Sequence, residues 1–327
     1  MKRYPQYHKR KTKPLLAERQ DAQERADIET HFQNFIAKCD ELKIHLDNVH
    51  NFDESGFRIG CLRGQVVWTH ADVQVVYILD PDNRELVTLL EYINSAGKVS
   101  CDPIIIMSGA LFKEQHFDNN LFDGVLFSLS ESGYTNDRLS FEWIKHFNLQ
   151  TEKNKKGKYW LLIIDGHSSH LTNEFIDYCW AEDIISFLLP AHTTHLLQPL
   201  DIGIFQSYKH YHQESLEESI RYGGVDYKKM VFLAGLTKIR KHTFKHGTIK
   251  FAFRKAGLIP FSPIVVYDKI VEFSMPVRME QGLTRLAGPD CGTGTGLWDW
   301  DRTVGPGPDC TLWLQKWESQ FRAIWSL

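Results

Sequence analysis

The 327-residue sequence has little cysteine, no long apolar run and almost no net charge. Its six cysteines, Cys39, Cys61, Cys101, Cys179, Cys291 and Cys310, are scattered and never form a C-x-x-C pair. That spacing excludes a zinc ribbon and a disulfide framework, and a reducing, intracellular compartment is expected. No apolar stretch approaches the roughly 18–20 residues of a membrane span, so no membrane partner is expected. Met1-Lys-Arg-Tyr-Pro5 leads into further charge and not into an apolar segment, so no secretory signal is expected. The formal net charge is −3, from 38 basic and 41 acidic residues, which on its face argues against a polyanion binder.

The average conceals a strong asymmetry. Residues 1–19 carry seven basic side chains against Glu18 alone. Residues 221–255 carry ten, including Lys228, Lys229, Lys238, Arg240, Lys241, Lys245, Arg254 and Lys255, against Asp226 alone. Clustered charge can hold a polyanion at near-zero total, although a solvated basic face would look the same. With 43% hydrophobic and 24% charged residues the chain is globular in composition.

Periodicity gives the organisation. Ile28, Phe32, Phe35, Ile36 and Cys39 recur at helical steps within Asp21–Leu46. Strand-like runs follow at Gln65–Trp68, Val73–Leu79, Glu85–Ile93 and Pro103–Met107, the last two flanking a hairpin connection at Asn94–Gly97. A helix is expected around Asp137–Phe147. Tyr159–Ile164 is six apolar residues without a break, as in a strand buried on both faces. Thr172–Trp180 reads as helix and Ile184–Leu189 as a second buried strand. Gly203–Tyr222 and the basic block up to Ala256 read as further helices. Residues 282–309 hold seven Gly and three Pro, and Gly-Pro-Asp-Cys occurs twice there and just beyond, in a tail that also carries five of the nine tryptophans. This tail reads as a linker followed by a short aromatic helix.

Three aspartates occupy positions where α/β folds place chemistry. Asp53 and Asp165 end candidate strands and Asp201 precedes a candidate helix. Converging carboxylates are hard oxygen ligands suited to Mg²⁺ or Mn²⁺. By position alone, however, each fits a capping or turn aspartate at least as well. His167/His170 and His192/His195 form two H-x-x-H pairs, which raises a zinc hydrolase as a third reading. They lack an accompanying Cys and the helical H-E-x-x-H pattern, so they fit better as side chains that orient the carboxylates or contact phosphate.

Three blocks resemble the catalytic motifs of the DDE superfamily endonucleases, specifically the pogo-type transposases related to mariner elements. They are Asn51-Phe-Asp-Glu-Ser-Gly-Phe57, Ile163-Ile-Asp-Gly-His-Ser-Ser-His170 and Leu189-Pro-Ala-His-Thr-Thr-His-Leu-Leu-Gln-Pro-Leu-Asp-Ile-Gly-Ile-Phe205. Ala252–Phe261 is similar to a further block, and Asn83–Thr88 and Ser132–Asn136 resemble family segments, with Tyr134 where Trp is common. The resemblance covers roughly residues 45–262. It implies an α/β, ribonuclease-H-like mixed sheet flanked by helices. It also implies a catalytic triad of Asp53, Asp165 and Asp201 holding two Mg²⁺ or Mn²⁺ ions, with Asp53 bridging both.

His167, His170, His192, His195 and Gln198 would support that triad, and the 221–255 block would contact DNA phosphates. The implied activity is metal-dependent cutting of DNA at transposon ends and strand transfer, in the nucleus, by a homodimer on paired ends, with no small-molecule substrate. The domain reading is a basic remnant of a helix-turn-helix module at 1–20, a linking helix at 21–44, the catalytic domain at 45–262 and an atypical tail at 263–327. Such transposases carry tandem helix-turn-helix modules before the catalytic domain, and Arg3–Arg19 resembles only the end of one. The alternative reading is therefore a catalytically silent, transposon-derived DNA-binding protein.

Overall fold

The computed structural model describes residues 25–59, 85–113, 117, 121, 124–166, 172–221 and 228–274, all within the unit Met1–Pro276. The basic segment 1–20, the strand-like runs Gln65–Trp68 and Val73–Leu79, the histidines His167 and His170, and the Gly/Pro-rich tail lie outside the described residues.

A six-stranded mixed sheet forms the centre, in the order β4-β3-β2-β1-β5-β6. Its strands are β1 (Val49–Arg58), β2 (Leu86–Asn94), β3 (Ile104–Ser108), β4 (Leu126–Ser130), β5 (Trp160–Ile164) and β6 (Ile184–Leu188). The run β1-β2-β3 is antiparallel, whereas β3 pairs β4, β1 pairs β5 and β5 pairs β6 in parallel. The expected hairpin joins β2 to β3, with Gly97 in the connection at a φ of 83°.

All five residues of β5 are buried, because side chains alternate between two covered faces. Leu161 and Ile163 enter one apolar cluster, and Trp160, Leu162 and Ile164 the other. The second cluster is closed by helices α2 (Asp137–Thr151) and α3 (Asn173–Ala181), which supply Trp143, Phe147 and Phe175. Each of these helices starts on a side-chain cap: Asn136 accepts from the Leu139 N–H at 3.0 Å and Thr172 from the Phe175 N–H at 3.3 Å.

The opposite face is covered by more helices. Helix α1 (Arg25–Glu41) buries Ile28, Phe32 and Phe35 there, so this segment packs onto the sheet and does not merely link to it. A short α4 (Thr194–Leu197) leads through a wide, π-type turn at Leu200–Ile204 into α5 (Phe205–Arg221). Helices α6 (Lys229–Thr243) and α7 (His246–Lys255) complete the basic block. Beyond residue 262, α8 (Ile264–Ser274) adds Val266 and Ile270 to the same core. Strand β4 and helix α8 are additions to the elements read from periodicity.

Candidate active site

Strand β1 and strand β5 set the first two carboxylates side by side. Their parallel register pairs Val49 with Leu161, His50 with Leu162 and Asn51 with Ile163. Continuing that register by two positions brings Asp53 opposite Asp165, just past the end of β5, on neighbouring strands about 4.8 Å apart. The two-residue alternation puts Asn51, Asp53 and Asp165 on the face that also carries Leu161 and Ile163. Asp201 lies exposed in the wide turn that opens α5, near enough for its charge to act on Asp53. π-type turns within helices are concentrated at functional sites, where they re-aim a side chain.

The charges of the three carboxylates act on one another. The Asp53 carboxyl is held well above the usual carboxylate range, first by burial and next by the adjacent Asp201 charge, with Asp165 adding to it. The Glu54 N–H, donating to Asp53 Oδ1 at 2.8 Å, works in the opposite direction. Carboxylates crowded in this way favour a retained proton or a bound cation. Among the described residues, no three His, Cys, Asp or Glu side chains are drawn into a common coordination shell. By donor type the trio suits a hard divalent cation, being all carboxylate oxygen with no thiolate.

One buried amide links the segments that carry the trio. Asn51 is fully buried, and its Nδ2 donates to the Ile163 carbonyl at 3.0 Å and the Phe52 carbonyl at 3.1 Å. Its Oδ1 accepts from the Leu200 N–H at 2.9 Å. The sequence reading passed over Asn51 as a separate residue, although it stands in the first motif.

A second residue also went unnoticed. Glu91 lies directly opposite Asp53 in the antiparallel β1–β2 register and is fully buried. Arg240 binds it in a fork, Nε at 3.0 Å and Nη2 at 2.8 Å, and the Tyr208 hydroxyl donates to it at 2.8 Å. Burial opposes the Arg240 charge, but Glu91, Tyr208 and Asp102 together more than offset it, so the guanidinium is held above its ordinary value. The expectation that Arg240 contacts phosphate is therefore corrected: at 5% exposure it serves the interior.

Lys229 is corrected for the same reason. It is 8% exposed, pairs with Glu85 at 3.2 Å and donates to the Ser108 carbonyl at 3.2 Å. Lys228, Lys238, Lys241, Lys245 and Arg254 are exposed, and Lys238 faces Glu218 at 3.2 Å. Lys255 is half-buried, and its Nζ donates to the Ile202 carbonyl at 3.3 Å, one residue from Asp201.

The supporting residues divide. Gln198 is buried two residues before Leu200, and its Oε1 has no hydrogen-bond partner among the described residues. His195 is half-buried on α4, while His192 is exposed at a left-handed turn position with φ 61°.

Comparison with known proteins gives a consistent picture. Residues 83–244 match the DDE superfamily endonuclease family. Over 239 residues the chain is 30% identical to a Cochliobolus lunatus protein named MFS-type transporter clz9, covering 73% of this chain and 26% of that one. It is 28% identical over 107 residues to the human pogo transposable element with ZNF domain, covering 31% of this chain and 7% of that one. The chain thus spans about a quarter or less of these relatives. The transporter name belongs to that protein; among the described residues here no helix is long and apolar enough to cross a membrane.

Among solved structures, the Mos1 mariner paired end complex with Mn superposes with a TM-score of 0.52 at 10% identity, covering 83% of this chain and 69% of that chain. The Mos1 strand transfer complex gives 0.53 at 11% identity, covering 84% and 68%. At such identities the likeness speaks to the fold, which is ribonuclease-H-like, a mixed sheet flanked by helices.

Proposed function

Because the chain carries a DDE superfamily endonuclease domain of the pogo and mariner type, we propose that it cuts DNA strands in a metal-dependent reaction at Asp53, Asp165 and Asp201. The observation that supports this reading is that Asp53, continued in register opposite Asp165, has its carboxyl raised by burial and by the charges of Asp201 and Asp165, which come from two other segments. Asp53, central in the sheet, would bridge two Mg²⁺ or Mn²⁺ ions, with Asp165 and Asp201 each fixing one. Such ions, when bound by these carboxylates, would lower the pKa of a water and offset the charge that develops on the oxygen leaving phosphorus.

The protein's own part is to hold and aim. Asp53 and Asp165 are fixed by strand register and Asp201 by the turn docked on β1. Arg240 neutralises Glu91, so that a fourth carboxylate beside Asp53 stays out of the ligand set. Lys255, beside the Asp201 turn, and the exposed Lys228, Lys238, Lys241, Lys245 and Arg254 offer positive charge to DNA phosphates. Cleavage by water at phosphorus breaks the bond to the 3′ oxygen and leaves a 3′ hydroxyl and a 5′ phosphate. In strand transfer that hydroxyl attacks a second phosphodiester, forming a new 3′–5′ phosphodiester and releasing the 3′ oxygen of the attacked strand as a free 3′ hydroxyl. The mariner structures of this fold are titled as paired end and strand transfer complexes, which supports a homodimer on paired DNA ends. A protein that cuts chromosomal DNA would work in the nucleus.

The test is nicking of supercoiled plasmid by the full chain in Mg²⁺ or Mn²⁺. Wild type should produce open circles, and Asp53→Asn, Asp165→Asn and Asp201→Asn should each reduce the rate at least a hundredfold. DNA binding without metal-dependent nicking would point to the silent DNA-binding protein instead. Activity that persists in all three variants would exclude these aspartates.

A further inference from the structure

We propose that Asn51 is the positioning residue of the carboxylate trio, a single buried amide that clamps the segments bearing Asp53, Asp165 and Asp201; this rests on the nuclease reading above. Its three hydrogen bonds fall next to the three aspartates. Asn51 precedes Asp53 by two residues on β1, Ile163 precedes Asp165 by two on β5, and Leu200 precedes Asp201 by one.

The bond to Leu200 answers a specific need. The first N–H groups of a helical segment have no acceptor within it and depend on a cap. The residue in the capping position of the Leu200–Ile204 turn is Pro199, which makes no side-chain cap. Asn51 supplies that cap from a strand 149 positions away in sequence. The start of the Asp201 turn is therefore referenced to β1 itself and not to its own loop.

The chemistry demands an amide. The site needs two donations, to the carbonyls of Ile163 and Phe52, and one acceptance, from the Leu200 N–H. Only one orientation of the amide meets all three, because the Leu200 N–H requires the oxygen and the carbonyls require the nitrogen. An aspartate would keep the acceptor but lose the donors and put a further negative charge beside the trio. A leucine would keep the branched outline and lose both functions.

The experiment measures Mn²⁺ binding by electron paramagnetic resonance on the full chain without DNA, together with amide hydrogen exchange of the metal-free protein. Wild type, Asn51→Leu, Asn51→Asp, Asp165→Asn and Val49→Ala are compared at matched conditions. Val49→Ala is a packing control in the same strand, since Val49 is fully buried and takes no part in the clamp.

Both Asn51 variants should weaken Mn²⁺ binding by about 10–100-fold, the range for residues that orient metal ligands. The Leu200 amide should exchange faster in Asn51→Leu than in Val49→Ala. Val49→Ala should lose stability and keep wild-type Mn²⁺ affinity. A folded Asn51→Asp or Asn51→Leu with wild-type affinity would overturn the proposal, as would an equal loss in Val49→Ala. Wild-type binding unchanged by Asp165→Asn, or no binding at all, would instead overturn the nuclease reading and the clamp with it.

Discussion

Asp53 and Glu91 face each other across β1 and β2, yet their environments assign them opposite tasks. Glu91 is sealed by Arg240 and Tyr208, whereas among the described residues Asp53 has its charge set by other carboxylates and the Glu54 N–H. Removing one partner of a buried ion pair leaves the other charge stranded, at a cost of about 3–5 kcal/mol. Arg240→Met should therefore lower the stability to denaturant by that amount, and leave the salt dependence of DNA binding unaltered. Lys241→Ala or Arg254→Ala should do the reverse, costing little stability while reducing the slope of log affinity against log salt by about one. A large slope change in Arg240→Met would show that its guanidinium reaches DNA. Charge clustering in the sequence could not separate Arg240 and Lys229 from their exposed neighbours, because their partners Glu91, in β2, and Glu85, just before it, lie far away in sequence.

Elements were legible where a single local pattern decided them. The unbroken apolar run marked β5, and the helices expected around Asp137–Phe147 and over Thr172–Trp180 form, their first turns capped by Asn136 and Thr172. Strand β4 was not legible, since Leu126–Ser130 is a short edge strand whose exposed and buried positions do not alternate cleanly. Helix α8 followed Pro263 and lay next to a Gly/Pro-rich tail, so it read as part of that tail. The wide turn at Leu200–Ile204 depends on packing that no local pattern records. Gly203 in that turn lies so close to α7 that an added Cβ would stand 2.5 Å from the Ala252 Cβ and 2.8 Å from its Cα. Gly203→Ala should cost about 1–3 kcal/mol through overpacking. It should also weaken Mn²⁺ binding, because Asp201 rides on the displaced turn. Unchanged stability in a urea titration would mean that the turn and α7 separate freely.

At the scale of the whole molecule, acid should weaken the fold. Burial holds His31 neutral, with its pKa lowered to about 4, and His50 likewise, lowered to about 3. Both values lie below the ordinary histidine value of about 6.5, so the unfolded chain takes up these protons first. The contribution is complete above that pH and is lost as pH falls toward 4 and then 3. Urea midpoints should drop steadily over this window, and His31→Phe should flatten the part above pH 4. An unchanged slope in that variant would assign the acid sensitivity elsewhere. The near-neutral total charge proved the least informative number in the sequence, because one basic block mixes interior ion-pair partners with an exposed face.

The proposed trio was only half legible. Asp165 follows its strand and Asp201 lies in the turn that opens a helix, as expected, but Asp53 stands in the middle of β1 and not at its end. The β1–β5 register and the Asn51 bridge are properties of the folded sheet. Asp53, Asp165 and Asp201 are proposed to hold divalent cations together. Anomalous diffraction from crystals of the protein grown with Mn²⁺ tests this directly. A Mn²⁺ peak is expected within about 2.1 Å of carboxylate oxygens of both Asp53 and Asp165. The peak should vanish in Asp165→Asn. A peak held by His192 or His195 instead, or none near Asp53 at saturating Mn²⁺, would contradict it.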